Sequence, residues 1–411
     1  MKKHLKYSKS KLHFNGNGLG EVCDKYETPF YFYDEALILN NYKHFYETAL
    51  KYDIPNPLVC FALKSNPNSY IISSLAKSGA GADIVSGGEL ELALKCGVDP
   101  KKIVFSGVGK TQKEIKQGIL KGILSFNVES EDELDVINFY STKLKKRAQV
   151  AFRLNPVVHA KTHKYISTGY KNHKFGLLAQ DIIRMSKKKK YWSNTSLIGL
   201  STHIGSQLTC MKATRKAIDE VFALSFEISK PFDFLDFGGG LGIPYKEGEK
   251  VTSVDEYMKE VSKGIVKNKM SKLVDGEKTR IVFEPGRVLV GEGGVLITKV
   301  IRTKPGGETQ FAIVDAGMSD LLRPSLYSAH HDILPLSQKK SKKVQVDIVG
   351  PICESADSFA KNLKLSAPKK DDYFIIADTG AYGISMASNY NVRPKPKEVI
   401  FTKNKKYKVQ S

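Results

Sequence analysis

Between Leu58 and Phe283 the chain alternates eight short apolar runs with stretches of helical periodicity, and few folds accept that rhythm. The runs are Leu58–Leu63, Gly81–Val85, Ile103–Ser106, Leu124–Asn127, Gln149–Leu154, Leu197–Ile204, Phe232–Phe237 and Arg280–Phe283. Apolar runs this short, ended by turn residues, read as strands buried on both faces. Helix signals stand between them: Ser86 with Glu89 three residues on forms a capping box, and Gly97 ends that helix. The pattern predicts a (β/α)8 barrel of the TIM type, with a doubly wound open sheet as the alternative. In such barrels the chemistry sits at the carboxyl ends of the strands. Those ends carry Lys64, Ser86, Ser106, Asn127, Asn155, His203, Gly238–Gly240 and Glu284.

After Gly286 helical periodicity fades. Apolar runs at Gly294–Ile301, Gln310–Val314, Val344–Val349, Tyr373–Ala377 and Glu398–Thr402 alternate with Pro-, Gly- and Lys-rich turns, as in an all-β domain. The expected division is a barrel over 30–283 and a C-terminal β domain over 284–411, joined by residues 1–29. Phe30–Tyr33 is an aromatic strand candidate with no helix partner of its own.

Lys64 ends its run and meets the polar turn Ser65-Asn66-Pro67-Asn68 at once. Burial favours a neutral lysine amine, which can form a Schiff base with a carbonyl; the plainer reading is a strand-end lysine whose head reaches water. Asp236-Phe237-Gly238-Gly239-Gly240-Leu241-Gly242 follows strand seven, where bare glycine amides can cradle a phosphate. Ile243 breaks the dinucleotide fingerprint, and Val104 breaks a P-loop over Gly109-Lys110-Thr111. Glu284-Pro285-Gly286-Arg287 pairs a carboxylate with a guanidinium suited to anions, or forms an ion pair at the rim. His203 can stack on a planar cofactor or fill a core position. His330-His331 reads as structural, with no metal implied. Cys353-Glu354 can donate a proton, or place a small hydrophobe in the core.

Composition narrows the classes. The net charge is +21, but only nine of 64 basic residues are arginine, and the runs Lys187–Lys190 and Lys339–Lys343 hold no aromatic side chain for base stacking. A solvated lysine-rich surface is expected, and no nucleic-acid partner. No apolar run reaches membrane length. The basic start Met1-Lys2-Lys3 leads into no apolar core, so no secretory signal is expected. Cysteines 23, 60, 96, 210 and 353 are odd in number and scattered, which suits reduced thiols in a cytosol.

Together the stretches Phe61–Asn68, Gly81–Leu90, Phe105–Thr111, His203–Thr209, Asp236–Ile243, Glu284–Arg287, Asp315–Leu336, Val349–Asp357 and Gly380–Pro396 resemble the fold-type III pyridoxal-phosphate decarboxylases, and within them the diaminopimelate decarboxylase family. The resemblance spans roughly residues 12 to 400 and implies an alanine-racemase-like barrel with a C-terminal β domain. It implies pyridoxal 5'-phosphate carried on Lys64, with His203 stacked on the ring and Glu284 at the pyridine nitrogen. Asp83, Ser206, Gly238, Gly239, Gly240, Gly286, Arg287 and Tyr382 complete the cofactor set. Cys353 would be the proton donor, reaching the partner subunit's site in a homodimer. Arg287, Arg323, Tyr327, Glu354 and Tyr382 would hold the substrate. The implied reaction, cytoplasmic, converts meso-2,6-diaminopimelate at its D centre to L-lysine and CO2, the last step of lysine biosynthesis. Alternatives are a decarboxylase of D-lysine, D-ornithine or another basic amino acid, and a non-catalytic cofactor-binding homologue.

Overall fold

The computed structural model describes residues 2–157, 173–208, 211–228, 232–267 and 279–410. Thr209, Cys210 and most of the loop expected after the fifth barrel strand lie outside the described residues. The chain divides into two compact units, one of residues 42–242 with 250–286, the other of 1–41, 243–249 and 287–411.

The first unit is a closed barrel of eight strands among the described residues. They are β1 (Pro57–Ala62), β2 (Gly81–Ile84), β3 (Ile103–Phe105), β4 (Ser125–Val128), β5 (Ala148–Leu154), β6 (Thr195–Thr202), β7 (Phe234–Asp236) and β8 (Arg280–Phe283). Every neighbouring pair is parallel, and closure comes where Phe283 of β8 faces Val59 of β1. The open-sheet alternative is thereby excluded.

Strand side chains alternate between faces. Leu58, Cys60, Val104, Ala151, Ile198, Phe234 and Val282 form one buried apolar cluster inside the barrel. Two residues further along the same strands, the same inward face carries Ser106 after Val104, Arg153 after Ala151, Asp236 after Phe234 and Glu284 after Val282. The register puts Asp83 on this level as well, since Cys60 pairs with Gly81 and Ala62 with Asp83. The barrel therefore has an apolar floor and, one pleat above it, a polar layer at the carboxyl ends.

Helices start where the sequence places caps. The Asn68 Oδ1 accepts from the amides of Tyr70 and Ile71, each at 3.1 Å, and Thr111 with Glu114 completes a capping box. Lys110, from the rejected P-loop, is a structural cation: its Nζ lies 2.7 Å from Glu133 Oε1 and donates to the carbonyls of Gly107 and Asn127.

The second unit holds a nine-stranded sheet among the described residues. Phe30–Asp34 is a strand, as expected, and pairs with Gly294–Gly306 and Lys397–Phe401. Phe30 and Phe32 enter the apolar core with Leu12, Phe14, Val295, Ile297, Ile375 and Val399. Tyr31 and Tyr33 stack on the opposite face, and the Tyr31 hydroxyl donates to the Asp320 carbonyl at 2.6 Å. A short sheet of Leu5–Ser8, Lys11–Phe14 and Asn17–Gly18 completes the unit.

Candidate active site

Lys64 stands on a single 3-10 turn, Leu63–Ser65, that continues β1. Its Nζ lies 2.9 Å from Asp83 Oδ2, and the aspartate is fully buried. The second Asp83 oxygen, Oδ1, is buried without a hydrogen-bond partner among the described residues. Glu284, just past β8, accepts from the Ser106 hydroxyl at 3.4 Å, and Asn127 bridges Ser106 Oγ at 3.1 Å to Asp236 Oδ2 at 3.4 Å. Burial pushes the Glu284 carboxyl well up from its ordinary range, and the carboxyls of Asp236 and Asp83 add to the shift. Asp236 is raised too, first by burial. Three buried carboxyls thus cluster at this end of the barrel, one of them beside the Lys64 amine, a constellation that favours a further positive charge or bound protons.

His203 receives the Gly239 amide on Nδ1 at 3.2 Å. Burial, with Lys64 and Arg153 nearby, holds its pKa well below the ordinary value. The ring is therefore neutral with its proton on Nε2. The glycine run sits where no side chain fits: a Cβ on Gly239 would lie 2.1 Å from the Glu284 carbonyl oxygen, and Gly238 and Gly240 have φ of +66° and +107°. The expectation of three bare amides needs correcting. Gly238 donates to Asp236 Oδ1 at 2.8 Å and Gly239 to His203, which leaves the Gly240 amide for an anion. Gly286 packs against Ser65, where a Cβ would come within 2.9 Å of the Ser65 side chain. Ser206 follows the Gly205 turn after β6.

The second unit gathers a different cluster. Arg287 begins a short helix, Arg287–Val290, and its Nη1 donates to the Tyr245 hydroxyl. The Arg287 guanidinium lies 4.8 Å from the ring centroid of Tyr382, whose backbone has φ +58°. Arg323 begins the helix Arg323–Tyr327, which places Tyr327 one turn later. Its guanidinium lies 4.5 Å from the Tyr245 ring centroid, and its Nη1 is 2.8 Å from His331 Nε2. Arg323 is buried and has no carboxylate partner among the described residues.

Cys353 and Glu354 make no hydrogen bond to that cluster among the described residues. Both are exposed, on a loop organised by Asp357, which accepts from the amides of Ile352 and Met318. Glu354 takes a hydrogen bond from the Tyr390 hydroxyl, and the Cys353 N–H donates to Asn391 Oδ1 at 3.3 Å. Three contributors lacked a sequence signal. Asp236 was visible only as the start of the glycine run. Tyr245 lies in a loop, and His331 in a dipeptide read as structural.

Residues 42–291 match the family described as "Pyridoxal-dependent decarboxylase, pyridoxal binding domain". A diaminopimelate decarboxylase from Aquifex aeolicus is 41% identical over 97% of this chain and 92% of its own. One from Methanocaldococcus jannaschii is also 41% identical, over 93% and 88%. A crystal structure of diaminopimelate decarboxylase from M. jannaschii superposes with a TM-score of 0.92 at 36% identity, covering 99% of this chain and 94% of that one. The Helicobacter pylori enzyme complexed with L-lysine gives 0.87 at 38%, covering 95% of each. The chain belongs to the pyridoxal-dependent decarboxylases, in the diaminopimelate decarboxylase family.

The barrel residues fit the cofactor this family binds. The buried Asp83 Oδ1 lacks a donor among the described residues, the raised carboxyls of Glu284 and Asp236 favour a protonated ring nitrogen, and the glycine run packs too closely on Thr202, Glu284 and Gly205 for any Cβ, which presents backbone rather than side chains at this end of the barrel.

Proposed function

We propose that this protein decarboxylates meso-2,6-diaminopimelate at its D centre to give L-lysine and CO2, the last step of lysine biosynthesis, as a cytoplasmic homodimer using pyridoxal 5'-phosphate. The observation that carries the substrate is Arg323, a buried guanidinium facing a neutral histidine rather than an acid. A charge left so is costly until an anion arrives, and the far end of diaminopimelate supplies a carboxylate. The named relatives support the same reading.

When bound, pyridoxal phosphate supplies the electron sink that makes loss of CO2 from an α-amino acid accessible. The protein's part follows from its own groups. The Lys64 amine, kept beside Asp83, would carry the cofactor. His203 would pack on its ring, Glu284, positioned by Ser106, would pair with its ring nitrogen, and the Gly240 amide, Ser206 and Gly286 would hold its phosphate. Arg323 and Arg287 take the distal carboxylate, bordered by Tyr327 and Tyr382, and Glu354 takes the distal ammonium. Cys353 gives its thiol proton to the α carbon after CO2 departs.

Purified protein offered meso-diaminopimelate, L-ornithine, L-arginine and D-lysine side by side should release CO2 from the first at least roughly a hundredfold faster, as kcat/KM, than from the others. Comparable turnover of D-lysine or L-ornithine sinks the distal-carboxylate reading.

The homodimer rests on the exposure of Cys353 and Glu354, which share a surface region of the sequence with Tyr390 and Val392, 46% and 92% exposed. A proton donor open to solvent in its own chain suits a site completed by a second copy. Mixing inactive Lys64→Ala with inactive Cys353→Ala should restore partial activity, because each hybrid dimer holds one site with both groups intact. A mixture that stays inactive after proven subunit exchange places both groups in one chain's site.

A further inference from the structure

Among the described residues His331 is the imidazole that hydrogen-bonds Arg323, and its chemistry is fixed by geometry. Nδ1 lies 2.8 Å from the Ala377 carbonyl oxygen, which can only accept, so Nδ1 carries the proton. Nε2 is then the acceptor, and the N–H of Arg323 Nη1 donates to it at 2.8 Å. The Tyr245 ring closes the arrangement. It stands edge-on to His331, with centroids 5.1 Å apart at 76°, and lies flat enough under Arg323 to bring the guanidinium within 4.5 Å of its centroid. His331 is fully buried, and burial together with Arg323 and Arg287 holds it far below its ordinary pKa. It stays neutral in the presence of two guanidiniums.

An aspartate or glutamate at this place would orient Arg323 equally well. It would also cancel its charge, and the site would then meet a substrate carboxylate with no net attraction. A leucine would leave the charge but lose the orientation. A neutral acceptor does what neither can: it fixes one N–H of the fork and leaves the full positive charge for an incoming anion.

We propose that His331 is a specificity-determining positioning residue: anchored by Ala377 and buttressed by Tyr245, it aims Arg323 while leaving that guanidinium uncompensated, so that dicarboxylic amino acids are preferred over those with a bare distal amine. The inference rests on the assignment of Arg323 to the distal carboxylate given above.

The test compares His331→Asp, His331→Leu and His331→Gln in the cofactor-loaded protein, with meso-diaminopimelate and D-lysine as substrates. Retention of the cofactor's visible absorbance and of the melting temperature reports folding. In His331→Asp the KM for diaminopimelate should rise on the order of ten- to a hundredfold with kcat changed less than about threefold, and the preference over D-lysine should fall by a similar factor. His331→Leu should raise the same KM, and His331→Gln, which can return a neutral acceptor to Arg323, should recover most of it. If the Asp variant does not fold, the Leu and Gln pair decides: equal KM values in both overturn the proposal. It is also overturned if the Asp variant loses both substrates in proportion, or loses kcat with KM unchanged, since a merely structural histidine would do that. A wild type that ignores diaminopimelate altogether overturns the substrate reading instead, a separate outcome visible before any variant is made.

Discussion

Lys64→Ala is expected to abolish turnover, by roughly a thousandfold or more, and to leave no pyridoxyl group on the protein after borohydride treatment. The magnitude is that of removing a nucleophile which also moves protons. The site explains why no neighbour substitutes. Lys64 is brought to the barrel end by a 3-10 turn that continues β1, and its Nζ is set 2.9 Å from Asp83. Lys110, beyond the end of β3, is locked to Glu133 and two carbonyls. Mass analysis of reduced, digested protein checks the result directly. A variant that still fixes the cofactor covalently would show that another lysine carries it.

Arg323→Ala should cost meso-diaminopimelate turnover about a hundredfold or more in kcat/KM. Leaving one member of a buried charge pair without the other typically costs about 3–5 kcal/mol, and each 1.4 kcal/mol is about tenfold. In the free protein the variant relieves a strain, because burial and the Arg287 charge both disfavour the Arg323 guanidinium. The melting temperature should therefore hold or rise while activity falls. D-lysine, which brings no distal carboxylate, should lose far less. A uniform fall for both substrates would remove Arg323 from the recognition of that group.

The eight barrel strands were legible because each is short, apolar and punctuated: Pro57–Ala62 runs into the turn that carries Lys64, and Gly81–Ile84 stops just before the Ser86 cap, whose side chain accepts from the Glu89 amide. Legibility weakened in the β unit. Ser358–Ser366 pairs with Lys343–Val349, yet Lys361 and Lys364 interrupt its apolar pattern and hide it. Tyr407–Gln410 is equally obscure, a short edge strand of Tyr-Lys-Val-Gln. The site divides along the same line. Lys64, His203 and Glu284 end apolar runs, so the strand pattern alone exposed them, whereas Asp83, inside its run, entered only with the family resemblance. Tyr245 and His331 lie in loops, where no period announces which side chain will meet Arg323. The glycine run shows from sequence that side chains are absent there, but sequence does not say which amides are already spoken for, and two are taken by Asp236 and His203.

The barrel's inward face changes character over one pleat, from Val104, Ala151, Phe234 and Val282 to Ser106, Arg153, Asp236 and Glu284. That spacing makes stability and chemistry separately addressable. A substitution at Phe234 or Val282 opens a cavity and should be read in melting temperature, whereas its neighbour two residues on alters charge at the reacting end and should be read in rate. A full mutational survey of these strands would then show one step along each inward face, thermal loss giving way to catalytic loss two residues on. The same partition leaves the chain free to revise its reaction at one level while the fold is held by the other.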